Sequence, residues 1–189
     1  ELVEYQLHEN DWYVRHARRI LQERKPNEEV GKALLKIMAE HKDEAKRLRA
    51  LWAYHVHLGD RPLKVLEKTE SYLVTSINDK SPIVRAWSVQ LQTETLNQER
   101  TLIRNDTDSV VRLYYASSLQ RLPHKDRWQI AEMLLSHGED AADHNLPLLI
   151  WYGIEPLADV DPARALAFLI KPPQFSARLN QVRKHLPSL

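Results

Sequence analysis

The residues that could do chemistry by type and spacing are densest in one stretch. His137-Gly138-Glu139-Asp140-Ala141-Ala142-Asp143-His144 places two imidazoles and three carboxylates within eight residues. Such donors suit a divalent cation, but their spacing matches no established ligand pattern. Asp143 or Asn145 also stands where a following helix needs an acceptor for its first free N–H groups. A capped loop is therefore the preferred reading, with a metal site as the alternative. Shortly after, Trp151-Tyr152 with Glu155 sets an aromatic and a carboxylate one helical turn apart, which can line a groove or simply pack a core. Asp140, Asp143, His144, Trp151, Tyr152 and Glu155 form the candidate interaction surface. No catalytic, cofactor-binding or metal-binding residue is assigned.

A second recurring group is arginine. Arg15, Arg49, Arg85 and Arg112 follow one another at spacings of 34, 36 and 27 residues, each beside an apolar residue and ahead of small or aromatic ones. Arg15, Arg85 and Arg112 are expected to pair with carboxylates of their own or a neighbouring segment, such as Asp11, Asp79 or Asp108, and to satisfy helix-end carbonyls. Arginine suits that multi-donor role better than lysine. A row of anion-binding arginines is the sharper alternative. His55 and His57 lie two apart on a presumed helix, so they point in different directions and are read as structural. Trp12, Trp52, Trp87, Trp128 and Trp151 are read as core plugs.

Charge is distributed unevenly. Between Trp128 and Ala163 there are seven acidic residues (Glu132, Glu139, Asp140, Asp143, Glu155, Asp159, Asp161) and no Lys or Arg. Basic residues gather at Arg15, Arg18, Arg19, Arg24 and Lys25, and again at Arg178, Arg183 and Lys184. Such polarity can steer an oppositely charged domain or merely solvate loop faces.

Composition excludes several classes. With no Cys, this chain by itself builds no disulfide, thiolate nucleophile or thioether-attached haem. Lys plus Arg total 27 against 26 Asp plus Glu, a net charge of +1, without the basic excess by which nucleic-acid binders neutralise phosphate. No apolar run approaches the roughly 18 residues of a membrane span. Gly-rich phosphate loops, Gly-x-Ser-x-Gly elbows and His-Glu-x-x-His helices are missing. The opening Glu1-Leu2-Val3-Glu4-Tyr5 is neither an initiator Met nor a signal peptide, and the chain reads as a piece of something larger.

The elements that must position these residues are helical. Only 4 of 189 residues are Gly, whereas sheets need Gly at tight turns and helices exclude it. Four segments share a polar lead-in followed by apolar residues at helical spacing: Asn10–Leu21, Arg47–Ala53, Asp79–Leu91 and Asp106–Leu119. Val14, Ala17 and Leu21 form one core stripe, Val84, Trp87 and Leu91 another, and Val111, Tyr115, Leu119 and Leu122 a third. Further helices are expected over Glu28–Glu40, Pro62–Ile77 and Lys125–His137, the last with Trp128, Ala131 and Leu135 facing inward. Lys25-Pro26-Asn27, Gly59-Asp60-Arg61-Pro62, Leu122-Pro123-His124, Asp161-Pro162 and Lys171-Pro172-Pro173 punctuate them. The expectation is ten or eleven helices and no strand, arranged as about five helical hairpins in one all-α superhelix over residues 1–189.

At this repeat length the segments resemble HEAT repeats, whose recurring Arg is similar to Arg15, Arg85 and Arg112 here. Two longer phrases, Glu9–Arg19 and Glu139–Leu157, together with Asp126-Arg127-Trp128, resemble bacterial membrane-bound dehydrogenases of the planctomycete and verrucomicrobial type, which carry a haem-binding region. The resemblance covers nearly the whole chain. It implies a middle segment of an exported or periplasmic protein, with a sugar-dehydrogenase-like propeller before it and a cytochrome-c-like domain after it. Because Cys is absent, the haem motif itself is not here. The expected function is a non-catalytic scaffold that spaces or docks those domains, with protein partners, no nucleic acid and no cofactor in this segment. The alternative is a HEAT-like DNA glycosylase that removes alkylated bases, against which the charge balance weighs.

Overall fold

The computed structural model describes residues 1–59, 72, 75–95 and 103–170. Their helices, in chain order, are α1 Asp11–Glu23, α2 Glu28–Glu40, α3 Glu44–Leu58, α4 Pro82–Thr95, α5 Ser109–Ser118, α6 His124–Leu135, α7 Leu146–Ile154 and α8 Pro162–Ile170. Short 3-10 turns occupy Glu4–Leu7, Leu119–Arg121, Gly138–Ala142 and Glu155–Ala158. No strand occurs among the described residues, so the protein is all-α, as expected. Most of the helix expected over Pro62–Ile77 lies outside the described residues. So do Arg61-Pro62, Lys171-Pro172-Pro173, Arg178, Arg183 and Lys184.

Local sequence explains where the helices start. Asn10 accepts from the Trp12 N–H at 2.9 Å, Asn27 from those of Glu29 and Val30, Asp43 from that of Ala45 and Asp108 from that of Val110. Each of these side chains satisfies donors that the first helical turn leaves open. Asp143 does the same for the Asn145 and Leu146 N–H groups, both at 2.8 Å, and Asp161 for that of Arg164. Pro82 and Pro162 open α4 and α8, where a missing N–H costs nothing. Gly59 ends α3 with φ of 59°, the left-handed conformation that favours glycine.

The chain divides into two compact units, Glu1–Leu91 and Gln92–Leu189. In the first, α3 packs on both α1 and α2, and the turn Glu4–Leu7 touches α1 and α3. Val14, Ala17 and Leu21 of α1, Leu34 and Met38 of α2, and Ala50, Leu51 and Tyr54 of α3 are buried. In the second, α5, α6 and α7 pack pairwise, and α8 rests on the turn Glu155–Ala158. Val111, Tyr115, Leu119, Leu122, Ile130, Leu134, Ile150, Ile154 and Leu157 close that core. Burying each large aliphatic side chain contributes about 1.5–3 kcal/mol. The tightest approach is at Gly153 of α7, where a Cβ would lie 2.5 Å from the Leu119 Cβ. Only glycine lets those backbones meet so closely.

One sequence expectation about the core is corrected. Trp128 and Trp151 are buried plugs, and Trp52 and Trp87 are half-buried, but Trp12 is 58% exposed. Trp12 lies two residues before Val14, about 200° round a helix of 3.6 residues per turn, so it points away from the stripe that α1 buries.

Candidate functional site

The expected interaction surface is split by the fold. Asp143, His144, Tyr152 and Glu155 are exposed, together with Glu132, Glu139, Asp159 and Asp161 of the acidic stretch. Asp140 and Trp151 are not on that surface. Trp151 is buried against the second unit's core, and Asp140 is buried and gripped by Arg112 through two hydrogen bonds, one of them at 2.6 Å from Nη2 to Oδ1. Asp140 sits on a short 3-10 turn that aims its side chain inward. The N–H groups of Leu146 and then Asn145 hold the Asp143 carboxyl below the usual carboxylate range. The Glu139 carboxyl is also lowered, by its own backbone N–H and by His137, whose Nδ1 lies 2.8 Å away. The other His137 nitrogen is 2.5 Å from the Asn105 amide oxygen. His137 and Glu139 are thus engaged with each other, and among the described residues no three His or carboxylate groups converge as metal ligands.

The arginines form a repeated device whose register the sequence reading only partly located. Arg47, Arg85, Arg112 and Arg127 are each the fourth residue of a helix. From that position the side chain folds back over its own helix start. Arg47 Nη1 donates to the carbonyls of His41 and Lys42 at 2.9 and 3.0 Å, and Arg85 Nη1 to those of Asp79 and Lys80 at 2.9 and 3.2 Å. Arg112 Nη1 donates to the Asp106 carbonyl at 3.0 Å, and Arg127 to the carbonyls of Leu122, Gln120 and Gly153. Among the described residues, Arg47 and Arg112 also reach forward to a buried carboxylate. Arg47 holds Asp79 bidentately at 2.7 and 2.8 Å, 32 residues on, and Arg112 holds Asp140, 28 residues on. The hydrogen bond to the carboxylate raises the pKa of each of these two guanidinium groups, against the opposing effect of burial.

Measured against the expectations, Arg112 bonds to Asp140 rather than Asp108, and Arg85 reaches the Asp79 carbonyl. Arg15 is different in kind. It is the fifth residue of α1, and its side chain is 77% exposed while bridging Asp11 at 2.5 Å. Arg47 and Arg127 were missed as repeat arginines, although counting four residues from a Ser, Asp or Pro lead-in finds them. His57 is buried with Nε2 at 3.0 Å from the Asn27 nitrogen, and His55 faces the Tyr72 hydroxyl at 3.3 Å. They serve different contacts, as their spacing implied.

A third cluster lies on the first unit. Trp12 stacks on His16 with ring centres 3.9 Å apart and meets Tyr13 edge-on at 5.0 Å. Tyr13 also stacks on Tyr5 and lies 4.7 Å from His8. The Trp12 carbonyl can only accept, so the His16 Nδ1 at 2.9 Å carries the proton. Deeper, Arg18 of α1 lies over the Trp52 ring of α3 at 4.9 Å, and Trp52 meets Trp87 edge-on at 4.9 Å. Arg49 donates to the His8 carbonyl at 2.9 Å and to Asp11 at 3.3 Å.

No helix among the described residues is long and apolar enough to cross a membrane. Searches against protein-family models, curated proteins and solved structures returned no match to this chain.

Proposed function

We propose that the chain is a non-catalytic scaffold: a HEAT-like stack of helical hairpins that spaces or docks protein domains. The observation that carries this reading is the twice-built arginine clasp. Arg47–Asp79 and Arg112–Asp140 each tie a helix start to a carboxylate 32 or 28 residues on, close to the length of one hairpin. Packing within each unit supports it, since α3 covers both α1 and α2, and α7 covers both α5 and α6. Hairpins in such arrays contact mainly their neighbours. The most deeply buried charges are committed to architecture. The exposed carboxylates Glu139, Asp143, Glu155 and Asp159 fall in a stretch without Lys or Arg, a charge suited to steering a basic domain.

The partners implied by the sequence resemblance are a propeller-type dehydrogenase domain and a c-type haem domain of an exported protein. The test has two parts. Small-angle scattering of the 189-residue chain gives a maximum dimension well beyond that of a sphere of its mass. Calorimetry with separately produced propeller and haem domains gives saturable binding that weakens with salt. A compact scattering profile refutes the stacked-hairpin reading. Base release from alkylated duplex DNA, with salt-sensitive binding, refutes the scaffold in favour of a DNA glycosylase.

A further inference from the structure

Helices α1, α2 and α3 begin with one shared device. At each, the backbone N–H of the residue before the helix donates to a histidine ring nitrogen. Asn10, before α1, donates to His8 Nδ1 at 3.0 Å, and Asp43, before α3, to His41 Nδ1 at 3.1 Å. Asn27, before α2, donates to His57 Nε2 at 3.0 Å, from a residue 30 positions away. At later helices the corresponding N–H finds a carboxylate. Ser81 before α4 donates to Asp79, Asp108 before α5 to Asp106, and Asn145 before α7 to Asp143. The two kinds of acceptor fail at different acidities. A carboxylate goes on accepting down to about pH 4, whereas an imidazole nitrogen that takes a proton near pH 6.5 becomes a donor.

His57 has the most at stake. It is 3% exposed, and its Nδ1 is buried without a partner. A backbone N–H can only donate, so Nε2 holds the lone pair and the ring proton sits on Nδ1. A second proton, on Nε2, would meet the Asn27 N–H. Turned instead to the Asn27 carbonyl at 3.1 Å, which already accepts from the Gly31 N–H, it would leave the Asn27 N–H without an acceptor. Either way a full charge enters the core. Among the described residues no charged side chain bonds to the ring. Lys25 and Glu28 flank Asn27 in sequence, and Glu28 is bridged to Lys32 at 3.1 Å. Glu23, at the end of α1, is bridged to Arg19. On α3 the ionisable residues within one turn are Tyr54 and His55, and His55 faces the Tyr72 hydroxyl. The other two rings are reached by water. His41 is half-buried, with Arg47 on its carbonyl and Asp79 held by Arg47. His8 is exposed, with the Tyr5 and Tyr13 rings against it and Lys46 and Arg49 on its carbonyl.

We propose that His57 is an acid-sensitive lock between α3 and the start of α2, with His41 and His8 as weaker counterparts at α3 and α1: neutral imidazoles hold the first unit closed, and acid opens it. Opening frees the ring, which takes up a proton as pH falls through about 6.5. The open state therefore binds more protons than the closed one, so stability present at about pH 7.5 is lost towards pH 5.5. For one ring kept from protonation while closed, the opening constant rises about tenfold over that interval. The inference concerns the first unit alone and stands apart from the scaffold reading.

Amide hydrogen exchange, followed by NMR on the full 15N-labelled chain from about pH 7.5 to 5.5, tests this. Each rate is divided by the unstructured-peptide rate at the same pH, and the buried Leu34 of α2 and Leu51 of α3 report on the unit. Their protection is expected to fall about tenfold or more in the parent. In a folded His57→Gln variant, whose amide oxygen accepts without titrating, the fall is less than about threefold. His16→Gln leaves the parent's fall unchanged, because the exposed His16 ring already donates from Nδ1. Long-range 1H–15N spectra of the parent's imidazoles need no variant. They show His57 Nε2 without a proton near neutral pH, and the ring still neutral in the folded chain at about pH 6. A proton on Nε2 near neutral pH, a charged His57 ring in the folded chain, protection that does not change with pH, or an undiminished fall in His57→Gln overturns the proposal.

Discussion

Replacing Asp140 by Asn tests the clasp with almost no change of shape. The amide keeps one oxygen acceptor but removes the charge that Arg112 faces. Arg112 is 2% exposed and Asp140 5%, so water replaces little of what is lost. Breaking a buried pair from one side costs about 3–5 kcal/mol, mostly as the penalty of an unmatched buried charge. Two contacts soften the loss here. The Asp106 carbonyl still accepts from Arg112, and the exposed Glu139 carboxylate lies 3.4 Å away. The expected cost is therefore at the lower end, about 3 kcal/mol. For a chain of this size, at about 2–4 °C per kcal/mol, the midpoint falls by roughly 6–12 °C. Thermal and urea denaturation of Asp140→Asn measure this directly. The double variant Arg112→Met with Asp140→Leu is expected to recover most of the loss, because well-packed apolar groups replace a buried pair at little cost. A single variant within about 0.5 kcal/mol of the parent would refute the reasoning, because it would mean that the pair is solvated and carries no structural weight.

Other outcomes follow from the same geometry. Arg47→Ala costs about 3–5 kcal/mol by stranding the buried Asp79, whereas Arg15→Ala, on an exposed pair, costs at most about 1 kcal/mol; equal effects in parallel melts would contradict the assigned register. Gly153→Ala drives a methyl group to 2.5 Å from the Leu119 Cβ and destabilises by about 1–3 kcal/mol or more, read by urea titration. Trp128→Ala costs about 3–5 kcal/mol, while Trp12→Ala, at an exposed ring, stays near 1 kcal/mol or below, its ring contacts included. The Asp143 carboxyl has its pKa lowered by folding, so its stabilising effect is present above its unfolded value of 3.8 and is lost as pH falls through the lower folded value. Asp143→Ala is accordingly about 1 kcal/mol less stable than the parent above roughly pH 5, and the two converge in strong acid.

What the chain declares by itself is whatever depends on neighbours in sequence. Scarce glycine, Asn and Asp lead-ins and prolines at first-turn positions act within a few residues, so they specify helices and their starts without tertiary help. The stripe Val14, Ala17 and Leu21, and the set Val111, Tyr115, Leu119 and Leu122, are legible for the same reason, and all are buried. Whatever depends on angle about a helix, or on partners tens of residues away, needed the fold. A shift of one residue turns a side chain by about 100°, so Arg15, fifth in α1, faces water, while Arg47, fourth in α3, is buried. Asp140 reads in sequence like its exposed acidic neighbours, and only the turn Gly138–Ala142 carries it under Arg112, 28 residues earlier.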